Sequence, residues 1–98
     1  MVTVVWSDRA SDDIDGIIEY ISKDKPIAAK LFAQRIVEKT KLIATFPLLG
    51  RVVSGEEETT REIIYGNYRI IYEIHEFAMG GPEIVILTIH HSSRQLDL

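Results

Sequence analysis

The sequence predicts an α+β fold with the element order β-α-α-β-β-β, in which a helical hairpin packs on one face of an antiparallel-rich sheet. Two stretches rich in Ile and Tyr within residues 61–75 meet at Gly66-Asn67, which indicates a β-hairpin. Before them, two consecutive stretches with apolar residues at helical spacing are separated by Pro26. After them, residues 83–90 form an apolar run that is typical of a central strand covered on both sides.

The first strand is predicted over residues 2–6, a β-branched run that ends in Trp6. Ser7 is a favoured helix N-cap, and the aspartates that follow it suit the positive end of a helix dipole. We therefore expect a first helix to begin after Ser7 and to end at Asp24 or Lys25. Its apolar stripe comprises Ala10, Ile14, Ile17, Ile18 and Ile21.

A second helix is predicted over residues 27–45, because Pro26 fits the first turn of a helix and Pro47 follows the end of the pattern. One face of this helix is largely apolar, whereas the opposite face carries Lys, Gln and Glu. The first face comprises Ala29, Phe32, Ala33, Ile36, Thr40 and Ile43. The connection between the two helices is short, so they should form an antiparallel αα-hairpin.

The β-hairpin is expected to have a two-residue loop, in which Gly66 and Asn67 both tolerate the positive φ that such turns demand. This register pairs Tyr65 with Tyr68, and alternate residues point to the same face of the sheet. One face should form the core, with the tyrosine hydroxyls at its rim. That face comprises Ile63, Tyr65, Tyr68, Ile70, Tyr72 and Ile74. The opposite face is half polar and places Arg69 in its middle, where a binding site could be built.

Length and composition bound the class of protein. The chain has 98 residues, 46% of them hydrophobic and 27% charged, so residues 1–98 should form one globular domain. No apolar run approaches the roughly 20 residues that span a bilayer, no signal-peptide pattern opens the chain, and cysteine is absent. We therefore expect a soluble cytoplasmic protein. The formal charge of −4 argues against direct sequence-specific DNA binding, because phosphate contacts supply most of the affinity in such complexes.

The common motifs of catalytic and cofactor sites do not occur in the sequence. There is no Ser-His-Asp order, no phosphate loop and no cluster of metal ligands. His90 and His91 are adjacent at a strand end, so their side chains should point to opposite faces and cannot form a metal site alone. We therefore expect no cofactor and no bound metal.

Candidate partner-binding residues are basic side chains near the hairpin and the C-terminus, namely Arg51, Arg61, Arg69, His91 and Arg94. Several have a structural alternative. Arg69 could form a cross-strand ion pair with Glu62 or Glu73 on the same face, and Arg61 could anchor the hairpin to the loop of residues 51–60. Arg51 follows a glycine turn on a predicted loop, where functional residues concentrate.

Three short motifs follow one another in the chain: Pro-x-x-Gly-Arg over residues 47–51, Tyr-Arg-Ile-Ile-Tyr over 68–72 and His-x-Ser-Arg over 91–94. Together with Trp6-Ser7 ahead of the first helix, they resemble the ParE/RelE superfamily of toxins from type II toxin–antitoxin (plasmid stabilisation) systems, over nearly the whole chain. The resemblance implies a cognate antitoxin, ParD-like or similar, whose expected landing surface is the groove beside the helical hairpin, within residues 10–43. It also implies a homodimer or a toxin–antitoxin hetero-oligomer.

Two activities occur within the superfamily. RelE-like toxins cut mRNA on the ribosome, and the resemblance would assign Arg69, Arg94 and His91 to that chemistry, with His90 as the alternative histidine. ParE-like toxins inhibit DNA gyrase or a related type II topoisomerase by binding, with no catalytic residue expected. The lysines that RelE-like toxins carry before the hairpin are missing, and the sequence ends at Leu98 without room for their C-terminal helix, which favours a ParE-like inhibitor. An inactive toxin fold that retains only antitoxin binding is the second alternative.

Overall fold

The computed structural model describes residues 2–76 and 80–93. Within these ranges two helices pack on one face of a five-stranded sheet, which confirms the predicted α+β class. The elements are β1 (Thr3–Trp6), α1 (Asp8–Ser22), α2 (Pro26–Thr45), a 3-10 helical turn (Pro47–Leu49), β2 (Arg51–Val52), β3 (Thr60–Tyr65), β4 (Tyr68–His75) and β5 (Glu83–His91). Neither described helix combines the length and the apolar character that crossing a bilayer requires.

The strands lie in the order β1-β5-β4-β3-β2. β1 is parallel to β5, and the other neighbouring pairs are antiparallel, so the sheet is antiparallel-rich as predicted. The short strand β2 was not predicted, and the placement of Arg51 on a loop was wrong, since Arg51 pairs with Glu62 of β3. Two residues are too few to show the alternation by which a strand is recognised in a sequence.

Each helix begins where its sequence signal predicts. Ser7 has an extended backbone, and its Oγ atom accepts a hydrogen bond from the Ala10 amide at 3.0 Å, so it is the N-cap of α1. Pro26 is the first residue of α2. Helix α1 ends at Ser22, slightly earlier than predicted, and the Lys25 backbone at φ −139° lies outside the helical region, as expected for a residue before proline.

The core lies between the helices and one face of the sheet. Phe32, Ile36 and Ile43 of α2 are buried there, and each such side chain contributes about 1.5–3 kcal/mol when it leaves water. The sheet contributes Ile70, Tyr72, Ile74, Ile84, Ile86 and Ile89. This is the face predicted from the hairpin, and its other tyrosines, Tyr65 and Tyr68, contact the Phe32 ring with centroids 5.8 and 5.1 Å apart.

A β-bulge in β5 determines which of its last residues face the helices. Tyr72 of β4 pairs with Ile86, but the preceding residue of β4 pairs with Thr88, so Leu87 is the extra residue. Because of this shift Ile89 faces the helices and is buried. Simple alternation along the sequence would have assigned the opposite faces beyond Leu87.

The hairpin turn differs from the prediction in one respect. Its register is as predicted, with Tyr65 opposite Tyr68. Gly66 has a positive φ of +58°, whereas Asn67 does not have a positive φ. These signs match a type II′ turn, which requires glycine only at its first central position.

Strand β5 lies between β1 and β4, as expected for an apolar run. In the described part of the chain, however, both helices pack on the same face of the sheet. On the opposite face, here called the open face, Val85 of β5 is half-buried. The helices therefore cover one face of β5, although Thr88 on the open face is also buried.

Candidate functional site

The segment that follows α2 is fixed by Tyr72, a fully buried residue of β4. Its hydroxyl group donates a hydrogen bond to the Pro47 carbonyl oxygen at 2.6 Å and accepts one from the Gly50 amide at 2.9 Å. The expectation that the tyrosine hydroxyls lie at the rim of the core is therefore wrong for Tyr72. These two hydrogen bonds attach residues 47–50 to the sheet.

Gly50 provides the space that this arrangement needs. A Cβ atom at this position would lie 2.6 Å from the Tyr72 Oη atom and 2.7 Å from the Glu62 carbonyl oxygen, both too close for any side chain. The Gly50 backbone is extended, with φ −70°, so the requirement is for space and not for an unusual conformation. Pro47 and Gly50 of the Pro-x-x-Gly-Arg motif therefore have structural roles.

The protonation state of Tyr72 follows from its burial. Burial raises the pKa of the Tyr72 hydroxyl above its ordinary value of 10.0, and the Gly50 hydrogen bond and the charge of Arg61 only partly oppose this effect. The hydroxyl is therefore protonated at neutral pH. Its proton is the one donated to Pro47.

Arg61 holds the same segment from the side. Its Nε atom donates to the Glu58 carbonyl oxygen at 3.0 Å, and its Nη1 atom donates to the carbonyl oxygens of Leu48 and Gly50 at 3.3 and 2.9 Å. These contacts agree with the predicted alternative in which Arg61 anchors the hairpin to the loop of residues 51–60. They anchor the hairpin to the chain on both sides of β2.

Two arginines share one carboxylate on the open face of the sheet. Arg51 Nε donates to Glu62 Oε1 at 2.6 Å, and Arg69 Nε donates to Glu62 Oε2 at 2.7 Å. The Arg69 Nη2 atom also contacts Glu62 Oε2. The side chain of Glu62 is only 3% exposed, that of Arg69 is 21% exposed and that of Arg51 is 72% exposed. The cluster therefore has a buried anion, Glu62, at one end and an exposed cation, Arg51, at the other.

The two arginines of this cluster contribute differently to its charge balance. A buried carboxylate needs a counter-charge, and Arg69 supplies it through two nitrogen atoms. Arg51 is the second cation, so the cluster carries one net positive charge at its exposed end. Sequence analysis named the Arg69–Glu62 pair as an alternative, but β2 was needed to bring Arg51 to the same carboxylate.

His91 lies on the other side of the sheet from Arg69. It pairs with Tyr68, and the two rings meet edge to face with centroids 5.1 Å apart. Arg69 pairs with His90 on the open face. The amide of Ser93 donates to the His91 Nδ1 atom at 3.1 Å. Arg69 and His91 are therefore not brought together, and the third residue of the proposed nuclease set, Arg94, is outside the described residues.

Asp13 has a structural role that its position in the sequence did not indicate. Its Oδ2 atom accepts hydrogen bonds from the Thr88 hydroxyl and from the Ile89 amide, the latter at 3.1 Å. These bonds cap the edge of β5 beyond the end of β1, where Ser7 Oγ also donates to the Leu87 carbonyl oxygen at 2.9 Å. Asp13 lines an open groove of about 720 Å³ between α1 and the end of β5. No local sequence pattern could have indicated this contact, because Asp13 and Ile89 lie far apart in the sequence.

Apolar side chains are exposed on the segment that Tyr72 and Arg61 hold in place. They are Leu42 at the end of α2, followed by Phe46, Leu48, Leu49 and Val52. Arg51 lies among them. The concentration of exposed apolar side chains around one arginine marks this region as a candidate contact surface for another protein.

Comparison with known proteins gives a consistent result. Residues 4–96 match the family model described as the ParE toxin of the type II toxin–antitoxin system parDE. The protein Y4kP of Sinorhizobium fredii is 34% identical over 92 residues, which are 92% of this chain and 88% of that protein. Toxin RelE2 of Caulobacter vibrioides is 34% identical over 94 residues, which are 96% of this chain and 99% of that protein.

A solved structure agrees in fold. The structure of the chromosomal ParDE toxin–antitoxin system from P. aeruginosa superimposes with a TM-score of 0.72, at 23% sequence identity. The match covers 93% of this chain and 96% of the other chain. Since the identity is low, this likeness supports the α+β architecture alone.

Proposed function

The chain belongs to the ParE toxin family of type II toxin–antitoxin systems, within the superfamily that its motifs indicated, and we propose that it inhibits DNA gyrase or a related type II topoisomerase. Inhibition is by binding, without chemistry of its own. A cognate ParD-like antitoxin neutralises the protein, and the pair acts as a plasmid stabilisation system. The domain formed by residues 1–98 acts as one unit in both interactions.

The state of Arg69 is the observation that carries this proposal. A nuclease site must direct preorganised positive charge and an acid–base pair at one phosphate. Here Glu62 engages Arg69 through two nitrogen atoms, and His91 faces the other side of the sheet. Within the described residues, Arg69 and His91 therefore do not converge, and the histidine that lies opposite Arg69 is His90. The engagement of Arg69 by Glu62 supports an inhibitor that works by binding.

The outer face of the helical hairpin fits the antitoxin. Helix α2 carries four basic residues and one acidic residue, whereas the whole chain has a net charge of −4. Exposed apolar side chains of α2 accompany these charges, including Ile27, Leu31 and Val37. An amphipathic antitoxin segment with acidic residues would bury its apolar side chains here while its carboxylates approach the lysines.

Gyrase supercoiling tests the proposal. Purified protein at micromolar concentration should abolish supercoiling of relaxed plasmid by gyrase, and added antitoxin should restore it. Undiminished supercoiling, with no trapped cleavage complex, would refute the proposed target.

A RelE-like ribosome-dependent endonuclease is the second candidate, and the 34% identity to toxin RelE2 is the observation that favours it. In this case transcripts in a translating extract would be cut by the wild-type chain and spared by Arg69→Lys. Intact transcripts with the wild-type chain would dismiss this candidate. A chain that neither inhibits gyrase nor cuts transcripts, but still binds the antitoxin, would correspond to the inactive toxin fold.

A further inference from the structure

The backbone of residues 46–52 is held by hydrogen bonds, although the segment is exposed. The Tyr72 hydroxyl and the Arg61 guanidinium form hydrogen bonds with backbone carbonyl and amide groups of this segment. The Leu49 amide also donates to the Phe46 carbonyl oxygen at 3.0 Å, and the Phe46 amide donates to the Leu42 carbonyl oxygen at 2.9 Å. The backbone of the segment is therefore held in one arrangement before any partner arrives.

The outward side chains have the composition of a protein-binding hot spot. Phe46, Leu48 and Leu49 are all more than half exposed, and Leu48 is 69% exposed. Aromatic residues and arginine are enriched at the centres of protein interfaces, where they fill pockets of the partner. Because the backbone is already fixed, binding here would not require this segment to be ordered first.

Arg51 adds a specific polar requirement to this surface. Glu62 binds its Nε atom, which leaves the terminal Nη groups at the exposed end of a side chain that is 72% accessible. A guanidinium held in this way is oriented for end-on bidentate pairing with a carboxylate. A nucleic-acid backbone suits the surface less well, because Glu56, Glu57 and Glu58 follow in the next loop and would repel its phosphates.

We propose that residues 46–52, through Phe46, Leu48, Leu49 and Arg51, form the surface that binds the topoisomerase. The matching site on the topoisomerase is a folded surface with an apolar cleft and a carboxylate beside it. This inference rests on the proposed function and assigns its contact residues. A preformed, rigid surface suits a folded partner, whereas the basic outer face of α2 suits the flexible antitoxin segment.

The test compares two variants in the gyrase supercoiling assay. Leu48→Ser combined with Arg51→Ala removes an apolar anchor and the carboxylate-binding group, and both side chains are exposed, so the fold should persist. Val5→Thr is the control, because Val5 is an exposed apolar residue on β1, at the opposite edge of the sheet. The affinity of each variant for the purified antitoxin, measured by calorimetry, provides a second readout that requires a folded chain.

The expected result is selective. The half-inhibitory concentration of the double variant should rise at least about thirtyfold, as expected for loss of two interface anchors. Its antitoxin affinity should stay within about twofold, and the control should match the wild-type chain in both measurements. Single variants at Leu49 should also raise the half-inhibitory concentration. This result would show that the effect of the double variant does not come from a folding defect at Leu48 or Arg51.

Two outcomes would overturn the inference. The first is an equally potent double variant, and the second is a double variant that loses antitoxin affinity while it still inhibits gyrase. Both refute this surface and leave the proposed function intact. A wild-type chain that binds the antitoxin but does not inhibit gyrase would refute the proposed function and this inference together.

Discussion

Glu62 holds Arg69 by an ion pair on the open face of the sheet, with Glu62 Oε2 2.7 Å from Arg69 Nε. The carboxylate is almost fully buried, so the arginine serves as its counter-charge. Arg69 therefore contributes to the supporting structure of the sheet. Arg51 is the more exposed partner of the same carboxylate.

Glu62→Gln should lower the free energy of unfolding by about 1–3 kcal/mol, because Arg69 would stay partly buried without its counter-charge. Urea unfolding at pH 7 measures the change. Glu38→Gln is the matched control, since Glu38 pairs with Arg35 on the exposed surface of α2. Its loss should stay below about 0.5 kcal/mol. Equal losses in the two variants would contradict the structural role of Glu62.

Gly50→Ala should destabilise the protein by about 1–3 kcal/mol, because the new methyl group would displace the Tyr72 hydroxyl or the β3 backbone. Gly16→Ala is its control. A Cβ at Gly16 meets no atom within 4 Å, and the residue lies inside α1. That variant should be more stable than the wild-type chain by about 0.5–1 kcal/mol. Thermal unfolding of both variants checks the prediction, and a neutral Gly50→Ala would contradict the close packing at Tyr72.

Tyr72→Phe removes both hydrogen bonds of the hydroxyl and should cost about 1–3 kcal/mol at pH 7. This cost should shrink at alkaline pH. The raised pKa of Tyr72 means that the folded chain holds this proton more tightly than the unfolded chain does. Its contribution to stability is therefore complete below about pH 10 and decreases as the pH rises toward the folded pKa.

The alkaline effect is measured as the difference in unfolding free energy between the wild-type chain and Tyr72→Phe at pH 7, 9 and 10.5. Taking the difference cancels the titration of lysines and of the other tyrosines. The gap between the two proteins should narrow at the highest pH. A gap that stays constant, or that widens, would show that Tyr72 does not titrate as its burial implies.

Asp13→Ala should loosen the end of β5, because the Ile89 amide would lose its acceptor. Hydrogen exchange at this amide should accelerate at least about tenfold, while amides in the middle of β4 keep their protection. Asp12→Ala, at an exposed neighbouring position of α1, should leave the exchange of Ile89 unchanged. Similar acceleration in both variants would indicate a general effect of charge on α1.

The sequence allowed the helices, the hairpin and its register to be predicted, because each depends on neighbouring residues. Ser7 and Pro26 mark the helix starts, and Gly66 limits the hairpin turn. The register of Tyr65 with Tyr68 then follows from the loop length. These local signals were sufficient for the fold class.

The candidate site depends on contacts between distant residues, which the sequence alone does not reveal. Arg51 meets Glu62 only because β2 pairs with β3, and two residues carry no periodic signal. Asp13 reaches Ile89 across the edge of the sheet, and Gly50 is required by a tyrosine 22 positions away. The roles of these residues became clear only when the tertiary structure placed their partners beside them.

Inhibition by binding is tested most directly by dividing one purified preparation between a gyrase supercoiling reaction and a translating extract. A binding inhibitor of the topoisomerase should stop supercoiling while transcripts remain full length. Cleaved transcripts together with undisturbed supercoiling would contradict inhibition by binding and would indicate that the chain is a RelE-like endonuclease that uses Arg69.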